Sequence, residues 1–395
     1  MEYSKVGKYY EVFSGYAFKS QDLKETADIP IIKIGNISNG RNVINENMQF
    51  VSKELLGINK KYYVNRGDVL LSLTGSHMNQ PNSVVGRSCR NYSDRLYLLN
   101  QRAGKIVPKN NASLSYIYYV LQTQAMKEMI CCRAYGAANQ VNVSPKSIMS
   151  IKWNFPSSDV QHSIASILST YDILIENNTK RIRLLEKMAE NLYKEWFVRF
   201  RFPGHENVEM ENGLPKGWKV KKYEDELNVK YGKGLPTDKL TKDGFPVFGS
   251  NGQIGYYTSY MYDTPQILIS CRGASSGVVN ISLPKSFITN NSLICEMTNK
   301  TESVFEYLKY YFLNTNLVQY QTGSAQPQIT INNIVKLKLL IPSTDIQIKF
   351  ADKVRTLDKE VGNLQLQNSL LARQRDLLLP RLMSGKLEVK EELLE

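Results

Sequence analysis

Polar side chains that can form hydrogen bonds or carry charge gather in the glycine-rich loops of this sequence. These loops span residues 73–83, 136–142, 229–240, 248–257, 271–277 and 323–328. Asn and Gln can form paired hydrogen bonds with adenine and Arg with guanine, whereas Lys and the backbone amides of glycine turns suit phosphate. The same residue types also favour turns for purely structural reasons. The candidate DNA-binding residues are Ser76, His77, Asn79, Gln80, Asn139, Gln140, Lys233, Lys239, Ser250, Asn251, Gln253, Arg272, Ser275, Ser276 and Gln326.

Motifs for catalysis are missing, which argues against a self-contained enzyme. The sequence has no GxxxxGK phosphate loop, no GxGxxG, no Asn-Pro-Pro-aromatic tetrapeptide and no HExxH. His77, His162 and His205 lie far apart without a neighbouring nucleophile or acid. The segment 388–390 supplies only half of a nuclease carboxylate and lysine set. We expect no catalytic residue, and a DNA methyltransferase or nuclease with its own active site stays as an alternative.

The cysteines and the hydropathy indicate the cellular compartment. Five cysteines, an odd number without a CxxC pair and with only three histidines to assist them, argue against a disulfide framework and against a zinc site. No apolar run approaches the roughly 18 residues of a membrane span, and the first residues lack the apolar stretch of a signal peptide. We therefore expect a cytoplasmic protein with no metal and no membrane partner.

The positive charge is unevenly distributed along the chain. Residues 1–156 hold 20 Lys and Arg against 10 Asp and Glu, so this segment carries +10 of the total +13. A basic surface attracts nucleic acid because each neutralised phosphate releases condensed counterions. A basic protein that binds no polyanion is the alternative, and the near-neutral charge of the second domain weakens the case for nucleic acid there.

One phrase occurs twice in the chain. A shift of 186 positions aligns "QVNVSPKSIMSIKWNFPSSDVQ" (140–161) with "QPQITINNIVKLKLLIPSTDIQ" (326–347). Upstream, the helical pattern at 113–129 has a counterpart at 303–319, and the strand "DVLLSLTGS" (68–76) resembles "QILISCRGA" (266–274). Because these features recur in the same order, the pattern predicts two similar globular domains.

A long helix follows each repeated phrase. Pro156 and Pro342 prevent a helix from continuing into these segments, and the Ser, Thr and Asp residues after each Pro can cap a new one. Apolar residues then recur at steps of three and four for about 40 residues, with one stutter in the first helix, which is typical of a coiled coil. The alternative is that each helix only covers its own domain. The predicted helix-pairing residues are Ile164, Tyr171, Leu174, Asn178, Leu185, Leu192, Leu357, Val361, Leu364, Asn368, Leu371 and Leu378.

These features predict an α+β chain with two similar globular domains, joined by two long helices that pack as an antiparallel coiled coil with pseudo-twofold symmetry. Double-stranded DNA has twofold symmetry itself, so such a chain could place two different recognition surfaces on one asymmetric, interrupted site. A coiled-coil scaffold that reads no DNA sequence is the alternative. The predicted boundaries are 1–156 for the first domain, 157–201 for the central helix, 202–213 for a linker, 214–342 for the second domain, 343–385 for the distal helix and 386–395 for the tail.

Three stretches resemble the specificity subunits of type I restriction-modification systems. "LYKEWFVRFRFPGHENVEMENGLPKGWKV" (192–220) is similar to the central conserved region of that family, and "LLLPRLMSGKLEV" (377–389) is similar to the end of its distal one. "GSAQPQITINNIVKLKLLIPSTDIQ" (323–347) resembles the way its target-recognition domains close. In combination these motifs span the whole chain.

The resemblance implies a non-catalytic DNA-specificity subunit. Each target-recognition domain would read one half of a bipartite site in double-stranded DNA, and the helices would set the spacer and dock two methyltransferase subunits. Endonuclease and translocase subunits would complete the complex. The chain itself would need no cofactor, because S-adenosylmethionine would bind to the methyltransferase subunits and ATP and magnesium to the restriction subunits.

Overall fold

A computed structural model describes residues 2–38, 43, 45, 47–76, 85–137, 140–323 and 327–389. The chain forms two compact units. The first unit comprises residues 1–177 together with 367–395, and the second comprises residues 178–366. Each unit therefore combines a globular part with segments of both long helices.

Two α-helices of the described chain, 36 and 40 residues long, are much longer than the others. In chain order, the helices are α1 (Val6–Tyr9), α2 (Leu114–Gln122), α3 (Gln124–Cys131), α4 (Pro145–Met149), α5 (Ser158–Tyr193), α6 (Tyr223–Glu226), α7 (Phe305–Leu313), α8 (Ile331–Ile334) and α9 (Thr344–Met383). Helix α5 continues into a π-helical turn at Lys194–Val198. Of the helices that the structure describes, none is long and apolar enough to cross a lipid bilayer.

Short strands make up most of each globular part. The first unit contains β1 (Glu2–Lys5), β2 (Tyr10–Ser14), β3 (Ile29–Ile32), β4 (Gln49–Val51), β5 (Tyr63–Val64), β6 (Val69–Ser72), β7 (Thr74–Gly75), β8 (Ser88–Arg90), β9 (Tyr97–Leu99), β10 (Ala103–Pro108), β11 (Tyr135–Ala137), β12 (Gln140–Asn142) and β13 (Lys152–Phe155). The second contains β14 (Met210–Glu211), β15 (Leu214–Pro215), β16 (Lys219–Lys222), β17 (Leu227–Tyr231), β18 (Phe245–Gly249), β19 (Gly252–Tyr257), β20 (Ile267–Ser270), β21 (Val279–Ile281), β22 (Phe287–Ile288), β23 (Ser292–Met297) and β24 (Lys338–Ile341).

The two units share one sheet topology. In the first, four antiparallel strands have the order β2-β10-β6-β8, and in the second the corresponding order is β17-β23-β20-β21. A parallel pair accompanies each sheet, β3 with β9 and β18 with β22. The last strand of each unit also pairs with a strand near the unit's start, β13 with β1 and β24 with β16. The sequence repeat is therefore a repeat of the fold.

The central strands are apolar because both faces of the sheet are covered. All residues of β6 and of β20 are buried. Helix α2 packs Tyr116, Ile117 and Val120 into the core of the first unit, and α7 packs Tyr307, Leu308 and Phe312 into that of the second. Burial of an aliphatic side chain contributes about 1.5–3 kcal/mol, so the packing of these helices on these strands stabilises each unit.

A glycine fixes the exit of one strand in each sheet. A Cβ atom on Gly15 would lie 2.2 Å from the carbonyl oxygen of Leu99, and one on Gly232 would lie 2.3 Å from that of Thr289. Side chains cannot fit at this distance from backbone atoms. Glycine after β2 and after β17 therefore lets each strand pass close to the parallel pair.

The repeated Gln at the start of each long helix ties that helix to its globular part. Gln161 Nε2 donates to the carbonyl oxygen of Pro156 at 3.0 Å, and Gln347 Nε2 donates to that of Pro342 at 2.8 Å. The other end of each amide is also used, because Gln161 Oε1 accepts from the hydroxyl of Tyr10 and Gln347 Oε1 accepts from the backbone N–H of Val304. Both glutamines are buried.

The long helices run antiparallel within each unit. In the first unit Asp172 of α5 pairs with Arg375 of α9, while residues near 164 share a core with Leu382. In the second unit Arg181 pairs with Glu360, while the ring of Trp196 packs against that of Phe350 with the ring centres 5.9 Å apart. The prediction of an α+β chain with two similar domains and paired long helices is confirmed.

One predicted helix-pairing residue is exposed to solvent instead. Leu174 is 44 % exposed, and its neighbour Ile175, 8 % exposed, takes the inward position. The buried positions step from Ile164 to Leu168 and on to Ile175, because an α-helix turns 3.6 residues per turn and drifts away from a strict seven-residue repeat. The prediction for Leu174 is wrong, whereas the other predicted pairing residues are buried or half-buried.

Candidate nucleic-acid interface

In the second unit, the backbone joins three loops at one edge of the sheet. The N–H of Lys233, after β17, donates to the carbonyl oxygen of Ile288 at 2.9 Å, and the N–H of Asn290 donates back to Lys233 at 3.1 Å. The N–H of Cys271, after β20, donates to Asn291 at 3.0 Å. Lys233, Arg272 and Asn291 are therefore neighbours, although 58 residues separate Lys233 from Asn291 in the sequence.

The turn between β18 and β19 joins the same cluster. The hydroxyl of Ser270 donates to the carbonyl oxygen of Ser250, and the hydroxyl of Ser275 donates to Oδ1 of Asn251. Ser292 Oγ also donates to the carbonyl oxygen of Gly249, at 3.2 Å. Three predicted DNA-binding residues, Ser250, Asn251 and Ser275, thus come together. Because the side chains of Asn251 and Ser275 form a hydrogen bond with each other, they hold two loops of the cluster together as well as forming part of its surface.

The segment before α8 completes this loop cluster. The N–H of Gly273 donates to Pro327 at 3.1 Å, and the N–H of Ile329 donates to Cys271 at 3.0 Å. Gln321 Nε2 donates to the carbonyl oxygen of Ser276 at 2.5 Å. Ser276 itself is 1 % exposed, so its side chain lies beneath the surface. This burial contradicts the prediction that Ser276 contacts DNA.

Within the described residues, two cations of the cluster have no carboxylate partner. Lys233 and Arg272 are exposed, and neither forms an ion pair with the part of the chain that the structure describes. Elsewhere in this unit Lys221 pairs with Glu226 and Glu302, and Lys230 pairs with Glu296. Unpaired cations beside backbone amides and side-chain amides form a surface suited to phosphates and base edges.

The thiol of Cys271 in this cluster has low reactivity. Burial raises the pKa of the Cys271 thiol, and the neighbouring Arg272 opposes this only in part. A neutral buried thiol is a poor nucleophile. Among the described residues, no group of three His, Cys, Asp or Glu side chains could hold a metal ion. The arrangement therefore offers cationic and hydrogen-bonding groups that can bind a ligand.

The first unit repeats this arrangement with different side chains. The N–H of Tyr16, after β2, donates to Leu99 at 2.7 Å, and the N–H of Leu73 donates to Arg102 at 3.0 Å. The N–H of Val143 donates to Leu73 at 2.9 Å, as Ile329 does to Cys271. Tyr16 and Arg102 therefore occupy the places that Lys233 and Asn291 occupy in the second unit. The backbone frame of these loops is therefore the same in both units, and the side chains on it differ.

Comparison with known proteins identifies the family of the two repeated domains. The family model of the type I restriction modification DNA specificity domain matches residues 1–187 and 215–372. The chain belongs to this specificity-domain family. The predicted resemblance to type I specificity subunits is confirmed, and so is the prediction of a DNA-specificity subunit with two recognition domains.

Individual relatives agree with this assignment. The specificity domains are 29 % identical over 317 residues to the MjaIX type I restriction enzyme specificity subunit of Methanocaldococcus jannaschii, a match that covers 74 % of this chain and 73 % of that one. The HindI type I restriction enzyme specificity subunit of Haemophilus influenzae is 23 % identical over 381 residues, covering 74 % and 81 %. In fold, the chain resembles the crystal structure of a type I restriction-modification S subunit from M. genitalium, with a TM-score of 0.57, 17 % identity and coverage of 96 % and 95 %.

The remaining predicted residues of the specificity domains are dispersed. Gln253 on β19 and Lys239, in the 3-10 turn Thr237–Lys239, are exposed, but no described contact ties them to the loop cluster. Gln140 is exposed on β12, and Ser76 is half-buried after β7. His77, Asn79, Gln80, Asn139 and Gln326 lie outside the described residues. That these residues contact DNA remains a prediction.

The sequence interpretation missed the loop that follows β9 in one specificity domain and β22 in the other. It carries exposed Gln101 and Arg102 in the first, and half-buried Asn290 and exposed Asn291 in the second. A signal existed, because "YLLNQRAGKI" (97–106) and "FITNNSLICE" (287–296) are both apolar strand, polar turn and apolar strand. These turns lack glycine, so a search of glycine-rich loops passed over them.

Proposed function

We propose that the chain reads an asymmetric, bipartite site in double-stranded DNA, with one specificity domain on each half. The observation that carries this proposal is the repeated frame with unequal side chains: Tyr16 where the other domain has Lys233, and Arg102 where it has Asn291. Equivalent backbone places a side chain at an equivalent point against DNA. Unequal side chains at those points select different bases.

The affinity of this contact comes largely from cations. Lys233 and Arg272 are free of carboxylates in the described part of the second domain, and residues 1–156 carry a charge of +10. Each phosphate contact that such cations make releases counterions, so binding should weaken steeply as salt rises. Phosphate contacts would orient the chain, and amides and Arg in the loops would supply the sequence preference.

The long helices have a second role in this proposal, in addition to setting the spacer. They expose apolar side chains that a solitary chain would bury: Leu184 is 65 % and Met188 57 % exposed on α5, and Leu366 is 61 % and Leu377 58 % exposed on α9. Exposed apolar residues at helical spacing suit a protein partner. We assign these faces to two methyltransferase subunits, to which endonuclease and translocase subunits add.

In such a complex this chain acts as a non-catalytic targeting subunit. S-adenosylmethionine would bind to the methyltransferase subunits, and ATP and magnesium would bind to the restriction subunits. The absence of recognisable catalytic motifs in the sequence and the loop chemistry of both domains support this division of labour.

A domain exchange tests the proposal. Replacing residues 1–150 with the equivalent segment of a relative should change one half of the recognised sequence and leave the other half and the spacer unchanged. The readout is selection of a random DNA library by the complex reassembled with its methyltransferase subunits. A change in both halves would contradict the assignment of one domain to each half-site, and a complex that selects no sequence would instead be a scaffold.

A further inference from the structure

In the first unit, three side chains form a row across neighbouring strands. Tyr135 of β11 lies opposite Asn142 of β12, and Asn142 lies opposite Thr74 of β7. Residues directly opposite in antiparallel strands project from the same face of the sheet. The side chains confirm this for one pair, because Thr74 Oγ1 donates to Oδ1 of Asn142 at 2.7 Å. Tyr135, Asn142 and Thr74 are therefore one cross-strand row.

The second unit contains an equivalent row. Thr322 lies opposite Gln328, and Gln328 lies opposite Arg272. Gln328 follows Asn142 by 186 residues, the same shift as the sequence repeat. The row Thr322, Gln328 and Arg272 thus has its central position at the same point of the fold as Asn142. Both central residues carry a side-chain amide.

The two rows differ in how much they present to solvent. Thr322, Gln328 and Arg272 are all exposed. In the first row Tyr135 is 63 % exposed, Asn142 is half-buried and Thr74 is 5 % exposed. Because Thr74 donates to the amide oxygen of Asn142, it orients that amide and leaves Nδ2 and a second lone pair of the oxygen available for a ligand.

The size of a row also suits a nucleic acid. Neighbouring strands lie about 4.8 Å apart, so the outer members of a row are separated by about 10 Å. That distance is close to the rise of about three base-pair steps, at about 3.4 Å each. Neighbouring members of a row, about 4.8 Å apart, can therefore reach adjacent bases, and its outer members can reach bases about three steps apart.

We propose that these rows determine base specificity: Asn142 and Gln328 each read an adenine in their own half-site, and Arg272 reads a neighbouring guanine. The inference rests on the proposed function and names the side chains that carry it out. An amide accepts from the adenine amino group and donates to the ring nitrogen N7, and a guanidinium donates to both acceptors of guanine. In the first row Thr74 cannot replace Arg272, so the first half-site lacks that guanine contact.

The test is a change from amide to carboxylate, which alters hydrogen bonding with almost no change in shape. Asn142→Asp and Gln328→Glu should each lose the adenine and gain cytosine, whose amino group donates to a carboxylate. We expect the adenine-to-cytosine preference to fall by about 5- to 150-fold, the equivalent of one bidentate pair. Each variant should change one position in its own half-site only. Arg272→Ala should relax one position beside the Gln328 position.

The control is Asn299→Asp, an exposed amide beyond the far end of β23 from the loop cluster. It makes the same chemical change away from the row and should leave the selected sequence unaltered. Selections use the full chain reassembled with its methyltransferase subunits and a random DNA library, and thermal unfolding verifies that each variant is folded. Because Gln328 is exposed, Gln328→Glu carries the test alone if Asn142→Asp does not fold.

The outcomes separate the two proposals. If the unaltered chain selects no sequence, the proposed function and the rows both fail. If the unaltered chain selects a bipartite site and the carboxylate variants select the same site, only the rows are overturned. A variant that alters both half-sites also overturns them, because each row belongs to one domain. Loss of one adenine in the matching half-site, with Asn299→Asp unchanged, supports the inference.

Discussion

Arg375 of α9 forms an ion pair with Asp172 of α5, and both side chains are largely buried, with exposures of 12 % and 9 %. The hydroxyl of Tyr119 donates to the other oxygen of Asp172 at 2.7 Å, which ties the pair to α2. In the second unit Asp358 takes the corresponding place, 186 residues later, but its partners are Tyr310 at 2.8 Å and Lys309 at 2.7 Å. The first unit thus takes its counter-charge from its separate C-terminal segment, whereas the second takes it from α7, within its continuous stretch of chain.

Arg375→Ala should destabilise the chain by about 3–5 kcal/mol, because it leaves the carboxylate of Asp172 buried beside a single hydroxyl. Arg181→Ala is the matched control. Arg181 pairs with Glu360 on the same two helices, but exposures of 59 % and 42 % make the expected loss under about 1 kcal/mol. Denaturant unfolding of the full chain measures both. Similar losses for the two variants would show that burial of the Arg375 pair has no special importance.

Gly232→Ala should destabilise the second unit by about 1–3 kcal/mol, since the new methyl group would meet the carbonyl oxygens of Thr289 and Ile288 at 2.3 and 2.4 Å. Gly234→Ala, two residues away, has no atom within 4 Å of its added methyl group and should change stability by less than about 0.5 kcal/mol. Denaturation midpoints of the two variants give the comparison. Equal stability would mean that the strand exit can move aside.

Cys132 should be the fastest-reacting thiol of the native chain. It is exposed, whereas Cys89, Cys131, Cys271 and Cys295 are buried. Burial raises the pKa of Cys89 to about 12 and that of Cys295 to about 12, so these thiols hold almost no reactive thiolate at neutral pH. An aromatic disulfide reagent should label one of five thiols rapidly and all five after denaturation. Cys132→Ser should remove the rapid phase, and its persistence would place the reactive thiol elsewhere.

The spacer length should follow the length of the helices. Deleting residues 182–188 and 368–374 removes seven residues from each helix, or about 10.5 Å at 1.5 Å per residue, and keeps the same face inward. The preferred spacer should shorten by about three base pairs while both half-sites keep their sequence. The shift also turns one half-site around the DNA axis, so binding should weaken. Selection with random-spacer DNA measures this, and an unchanged spacer would leave the helices only a docking role.

The sequence predicted the features that are local along the chain. The phrase around Pro156 and Pro342 marked the repeat, and the steps of three and four marked both long helices. The role of Gln161 and Gln347 was not predicted, although both stand in the repeated phrase. Their amides bind Pro156 and Tyr10 in one unit and Pro342 and Val304 in the other, and such contacts depend on the packing of distant segments.

The candidate site was harder to predict for the same reason. Thr74 meets Asn142 across strands, 68 residues apart in sequence, and that pairing places the amide of Asn142 in the cross-strand row. The sequence interpretation named Gln140 and Asn139 in this loop and passed over Asn142. Composition and turn residues locate a polar loop. They do not give the register, and a shift of one residue turns every side chain to the opposite face.

The discontinuous first unit has a consequence for synthesis. Arg375 follows Asp172 by 203 residues, which take a ribosome about 10–40 s to add at about 5–20 residues per second. During that interval the nascent first domain lacks the Arg375 partner of Asp172 and the apolar residues of α9 that pack on α5 in the finished chain. The second unit is one continuous stretch of chain and needs no later segment. A premature stop just after Leu366 would therefore spare the domain made last and leave the domain made first unfinished.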